Sequence, residues 1–290
     1  TSLIVGETAE ITFTFSEDIL GFETADISLE GGGSLSGISA TSSQVFTATY
    51  TPPAATTGTV TLTVGASAFE DIVGNDNTTT ATLAINVDTE IPTLSLVSIV
   101  SNNSDSSLAK PGDEITLSFT SSEAIQSPTV TVDGNAATIS GGGTSWTAAY
   151  TFVSGDTEGV LSFTIDFQDT AGNSGTQVTA VTDSSSVTFD ETVPTVVSIV
   201  TNDSDDKLKD TDVVRVTATF SEAMTASPTI SIDLPNGTDI SAASMTQSTT
   251  ADVWYYDWTV ADGGDGSATI TVSGSDLAGN AYAGSDTKIV

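Results

Sequence analysis

Neither cysteine nor histidine occurs in this chain of 290 residues, and Lys and Arg together number five. Without thiols there are no disulfides to staple small domains and no thiolate metal sites. The missing His and Cys remove the usual catalytic triads and dyads, and scarce Lys leaves little for Schiff-base chemistry. Zinc and copper, which favour imidazole and thiolate, are poor guests for the same reason. Set against 38 Asp and Glu, the five cations leave a net charge of -33. That is the wrong sign for nucleic acid and for an anionic membrane surface. No apolar run approaches the roughly 18 residues of a membrane span, and the first residues lack the basic and apolar regions of a signal peptide. Any export signal is expected outside this sequence.

What is abundant is Thr, Ser, Gly and Val, a composition suited to strands and tight turns. Carboxylates at this density repel one another and weaken a compact state, so cations are the expected partners. Most of them read as a solvated acidic surface. Acidity, Thr/Ser richness and the lack of Cys together fit a bacterial exterior, either secreted or on the cell surface.

Three landmarks recur in the same order with a period near 100 residues, which marks a tandem array. The first is a β-run ending in Ser-Glu, at Ile11–Glu17, Ile115–Glu123 and Val214–Glu222. Its glutamates lie 106 and 99 residues apart. The second is an aromatic strand: Phe46, Ala48 and Tyr50; Trp146, Ala148 and Tyr150; Trp254, Tyr256 and Trp258. Spacing by two puts each trio on one sheet face, as expected for core residues. The third is a turn, Asp71–Asn75, Asp169–Asn173 and Asp276–Asn280, in the pattern Asp-x-x-Gly-Asn. Its Gly and Asn tolerate positive backbone dihedrals.

Between the repeats stand Asp88-Thr89-Glu90-Ile91-Pro92-Thr93 and Asp190-Glu191-Thr192-Val193-Pro194-Thr195, 102 residues apart. Pro with β-branched neighbours makes a short, stiff, extended connection. The expected domains are therefore 1–90, 91–192 and 193–290. The first is expected to lack its leading strand and the third to have a shortened last strand. Strands of five to eight residues with Gly, Asn and Pro between them, and no sustained helical period, predict an all-β chain of tandem immunoglobulin-like Greek-key β-sandwiches.

In that topology the second and sixth strands both run toward the end where the preceding linker enters. Asp88, Glu90, Glu123, Asp169 and Asn173 are thus expected to converge at the first boundary. Asp190, Glu191, Glu222, Asp276 and Asn280 should converge at the second. Such all-oxygen sets suit Ca2+, which takes six to eight oxygen ligands in irregular geometry, better than Mg2+. The competing reading makes the Asp residues ordinary Asx-turn formers. Glu17, Asp71 and Asn75 repeat the pattern in the first domain without linker carboxylates. The Asn102–Asp105 and Asn202–Asp206 segments lack the Gly and terminal Glu spacing of an EF-hand and read as exposed polar loops. Paired carboxylates could serve glycoside hydrolysis, but in a repeated module structural pairing is the stronger reading.

The motifs Phe-Ser-Glu, Asp-x-Ala-Gly-Asn and Asp-x-x-x-Pro-Thr resemble bacterial immunoglobulin-like repeats of large surface adhesins and biofilm-associated proteins. The resemblance spans all three repeats. It implies non-catalytic extender modules with Ca2+ at the junctions, held by the residues named above. Two departures stand out: Ile72-Val73 in the first turn, and Ser121 where the other repeats have Phe, a change expected to loosen that strand end. At about 3.4 Å per residue each sandwich should be roughly 35 Å long and three in line roughly 100 Å. Two other readings remain. One is a subunit of a surface layer or extracellular filament with lateral self-assembly. The other is a carbohydrate-binding module using Trp254, Tyr255, Tyr256 and Trp258, of which Tyr255 should face away from its neighbours.

Overall fold

The computed structural model describes residues 2–225, 227–261 and 266–290. These form strands throughout, with a single 3-10 turn at Thr24–Asp26 and no α-helix. Among the described residues no helix is long and apolar enough to cross a membrane. The chain packs as two compact units. One comprises 1–97, 118–148 and 163–182, the other 98–117, 149–162 and 183–290, so residues of the second repeat contribute to both.

The principal strands of the first repeat are β1 (Ala9–Thr14), β2 (Ile27–Glu30), β3 (Val45–Thr51), β4 (Thr57–Val64) and β5 (Ala81–Asp88). β1 pairs antiparallel with β3, and β2, β4 and β5 form the facing sheet in that order. Alternation decides the faces: in β4, Val60, Leu62 and Val64 point inward between threonines. Across from them Ile11, Phe46, Ala48 and Tyr50 are buried. Phe13, Phe15, Phe22, Phe46 and Phe69 meet edge to face at 4.8–5.8 Å, the geometry that ring quadrupoles favour.

In the second repeat β6 (Leu94–Ser101), β7 (Glu114–Ser121), β8 (Thr129–Val132), β9 (Ser145–Thr151) and β10 (Phe163–Asp166) carry the same alternation. β8 pairs with β10. Leu108–Ala109 pairs in parallel with Thr188–Phe189, and Leu3 bridges Val87 in parallel in the first repeat. Residues near Leu3 therefore do the work of residues near Leu108.

The third repeat is built from β11 (Val196–Thr201), β12 (Val213–Phe220), β13 (Thr229–Asp233), β14 (Val253–Thr259), β15 (Thr269–Ser273) and β16 (Thr287–Ile289). One sheet runs β11-β12-β14 and the other contains β13-β15-β16. Its core gathers Val214, Val216, Phe220, Ile230, Ile232, Trp254, Trp258 and Ile270. The aromatic trios are thus largely interior: Tyr50, Ala148, Trp254 and Trp258 are buried, while Trp146, Tyr150 and Tyr256 are half-buried.

Phe220 and Phe15 occupy equivalent places, just before Ser-Glu. Phe220 is paired with Val196 of β11 and is 1% exposed; Phe15, with no strand opposite it among the described residues, is half-buried. Truncating Phe220 should leave a cavity and cost about 3–5 kcal/mol. Phe220→Ala is therefore expected to lower unfolding stability in urea by that amount, and Phe15→Ala by clearly less.

Candidate metal centres at the repeat linkers

Each Asp-x-x-Gly-Asn turn is locked by its own Asp. Asp169 Oδ1 accepts the backbone N–H groups of Gly172 (2.6 Å) and Asn173 (2.8 Å), and Oδ2 accepts Asn173 Nδ2 at 2.7 Å. Asp276 repeats this with Gly279 and Asn280 at 2.7, 2.8 and 2.9 Å. Asp71 does so with Val73 and Asn75, and the Asn75 hydrogen bonds hold its carboxyl below the usual range. The turn needs its glycine: φ is +91°, +116° and +90° at Gly74, Gly172 and Gly279, a region that L side chains avoid.

The turn Asp then pairs with the chain just beyond the Ser-Glu strand end. Ile125 bridges Asp169 and Met224 bridges Asp276, as Ile19 does Asp71. This brings the Glu two residues earlier beside the Asp. Ser122 and Ser221 fix the linker as well. Thr93 N–H donates to Ser122 Oγ at 3.0 Å and receives Ser122 N–H on its carbonyl at 2.8 Å. Thr195 and Ser221 do the same at 2.9 and 2.8 Å.

Two clusters result. One ligand oxygen each from Asp88, Glu123 and Asp169 lies within 4.8 Å of the others, and Asp190, Glu222 and Asp276 match this at the second linker. Asp169 and Asp276 are buried, at 0% and 1% exposure. Burial, followed by repulsion from Asp169, Asp88 and Glu90, pushes the Glu123 carboxyl above its usual range. Glu222 rises likewise by burial, then by Asp276, Asp190 and Glu158. Asp190 is raised mainly by burial. Glu123 Oε1 is buried without a hydrogen-bond partner. The salt bridges among the described residues, Arg215–Asp257 and Lys288–Asp206, lie elsewhere.

The remaining sequence candidates stand around these clusters. Glu90 is exposed and acts on Glu123 through charge. Glu191 turns away, its Oε2 accepting Ser154 Oγ and Gly155 N at 2.9 Å. Asn173 serves as a clasp: Nδ2 also donates to Asp88 O (2.8 Å), and Oδ1 accepts Val5 N (2.8 Å). Asn280 Nδ2 donates to Asp190 O at 2.9 Å.

Several participants escaped sequence reasoning. Thr57 Oγ1 donates to Asp88 Oδ1 at 2.8 Å. At the equivalent place before the strand glycine, Glu158 Oε1 accepts Glu191 N and Thr192 Oγ1, both at 2.8 Å. A hydroxyl on one linker is thus a fourth carboxylate on the other. Only the Gly58/Gly159 alignment signals the pair. Asn103, read as part of an exposed loop, instead donates to Ala278 O at 2.8 Å and to Asp113 at 2.7 Å; the third repeat's turn satisfies it. Ser121, expected to loosen its strand end, is buried and donates to Glu123 O at 2.5 Å. Its hydroxyl fastens the very residue whose carboxylate enters the cluster.

Oxygen-only donors at carboxylate spacing suit a hard cation that accepts irregular coordination, as Ca2+ does. The partnerless Glu123 oxygen is the observation that fits a cation, since a buried carboxylate oxygen without compensation is costly.

Residues 1–87 match the family model described as "Bacterial Ig-like domain". Similar solved structures include the titin Ig tandem domains A164-A165 (11% identity, 69% of this chain and 94% of that chain, TM-score 0.24). Another is the FN1-FN3 segment of chicken CNTN1 (9% identity, 100% and 99%, TM-score 0.33). No curated protein sequence matches the chain.

The raised glutamates set a pH dependence. A carboxyl whose folded pKa exceeds its unfolded value stabilises the fold fully below the unfolded pKa, and that contribution is lost as pH rises through the folded one. Metal-free protein should therefore gain thermal stability from Glu123 and Glu222 as pH falls from neutrality into the Glu range. The double variant Glu123→Gln/Glu222→Gln should start higher at pH 7 and lose that part of the rise in melting curves. The first repeat is matched as a bacterial Ig-like domain, and the motifs it shares with the other two carry the immunoglobulin-like resemblance along the chain.

Proposed function

We propose that this chain is a non-catalytic extender segment of a secreted or cell-surface bacterial adhesin, stiffened by Ca2+ at its two linkers. The observation that carries the reading is the equivalence of the two clusters, each built from a linker Asp, a strand-end Glu and a turn Asp. A catalytic site has no reason to recur at every linker, whereas a mechanical joint does.

The bound ion would be held by Asp88, Glu123 and Asp169 at one linker and by Asp190, Glu222 and Asp276 at the other. Joining the linker to the strand end and turn of the following repeat, it would remove the freedom left in a short Pro-containing connection. Without it, carboxylates at this separation repel by a few kcal/mol per pair at an effective dielectric near 20. The partners on this reading are the neighbouring repeats. Glycan binding has less support: Tyr255, the aromatic facing away from the β14 core pair, is stacked under Arg215 at 3.9 Å.

Small-angle scattering with excess calcium and then with chelator tests the proposal, with melting recorded on the same samples. The expected result is a stiffer particle and a higher melting temperature with calcium, both lost on chelation. Identical scattering and melting in the two buffers would remove calcium from the account, and saturable binding on a glycan array would replace the extender reading.

A further inference from the structure

The second and third repeats also meet through groups that belong to neither carboxylate cluster. Asn103 of the second repeat has a fully committed side chain. Its amide donates once to Asp113 Oδ2 at 2.7 Å and once to Ala278 O of the third repeat at 2.8 Å, while Oδ1 accepts the Asp105 N–H (3.2 Å) and the Ser104 hydroxyl (3.1 Å). An amide NH2 has two hydrogens to give, so both are used, and a flipped amide would turn its oxygen on two acceptors. Asp113 Oδ2 is itself held by the Lys110 N–H at 2.9 Å. Ala278 is 2% exposed, and a buried carbonyl stripped of its donor loses a bond that water does not readily replace. The Lys110 stem lies against the same turn: a Cβ at Gly279 would stand 3.2 Å from Lys110 Cε. Glycine therefore serves this turn twice, by its positive φ and by letting the second repeat close in.

The loop that carries Asn103 recurs in the third repeat with one change. Asn102 and Asn202 make the same pair of bonds, to the main chain of Glu114 and of Arg215. Asp105 and Asp205 each donate their N–H to the side chain two residues earlier. That earlier residue is Asn103 in one loop and Asp203 in the other, and an ionised Asp has no hydrogen to give. The loop thus closes with either residue, and Asn103 alone of the two can donate to a neighbouring carbonyl.

We propose that Asn103 and the Lys110 stem form a metal-independent latch on the 276–280 turn of the third repeat, which limits bending at the second linker when its carboxylates hold no cation. A linker fastened at its strand end alone can swing about that point, and a second fastening on a different loop removes the swing. The latch uses none of Asp190, Glu222 and Asp276 side chains, so it stands or falls separately from the calcium reading.

The test exploits the absence of cysteine. Val160→Cys and Val213→Cys, at exposed strand positions of the second and third repeats, accept spin labels, and pulsed dipolar spectroscopy reads the spread of distances between them. In chelator the labelled whole chain is expected to give a narrow distribution, and the same chain with Asn103→Ser a clearly broader one. Ser keeps a hydroxyl that can close the 103–105 turn and is too short to reach Ala278. Asn103→Asp, a residue that the equivalent loop of the third repeat accommodates, should broaden the distribution as well. Superimposable distributions for the labelled chain and both variants in chelator, whether narrow or broad, would overturn the latch. Excess calcium, added afterwards to each sample, reports on the carboxylate clusters alone.

Discussion

Like charges held together where the chain passes from one repeat to the next are the constraint on which the linkers depend. Three carboxylate oxygens within 4.8 Å oppose one another by a few kcal/mol for each of the three pairs, about 10 kcal/mol in total, at an effective dielectric near 20. They stay together because backbone hydrogen bonds place them. The turn Asp is fixed by N–H donors, the linker by the Ser–Thr staple, and the linker carbonyl by Asn173 or Asn280. Each bond contributes about 1 kcal/mol net, so together they offset a large part of the repulsion. A joint balanced in this way responds to a bound cation or a proton, because either removes the opposing term and leaves the scaffold intact.

The two linkers answer the same constraint differently. Thr57 gives Asp88 a hydroxyl donor, relieving part of the negative charge at the first. Glu158 brings another carboxylate to the second, where its own charge is stabilised by Thr192 Oγ1 and Glu191 N. Hydrogen bonding lowers the Glu158 pKa while burial raises that of Asp190 beside it. The second linker thus gathers one more carboxylate than the first, and on the proposed reading its cation site would be the more negative of the two.

Much of this was legible in the sequence because it rests on periodicity. Spacing by two placed Tyr50, Ala148 and Trp258 inside, and the repeated Ser-Glu and Asp-x-x-Gly-Asn pieces marked which residues meet at a sheet end. The rest depends on hydrogen-bond direction, which composition and spacing do not encode. Asn173 and Asn280 looked like ligands and act as clasps; Glu191 looked like a ligand and holds the 154–155 loop. Thr57, Glu158 and Asn103 carry no motif.

The most direct test of the central claim is calorimetric titration of the metal-free chain with calcium, beside Glu123→Gln and Glu222→Gln. The account predicts two ions per chain, the tighter one lost in Glu222→Gln and the weaker one in Glu123→Gln. No heat of binding in the parent chain, or two unchanged sites in both variants, would contradict the assignment of the linker clusters as cation sites.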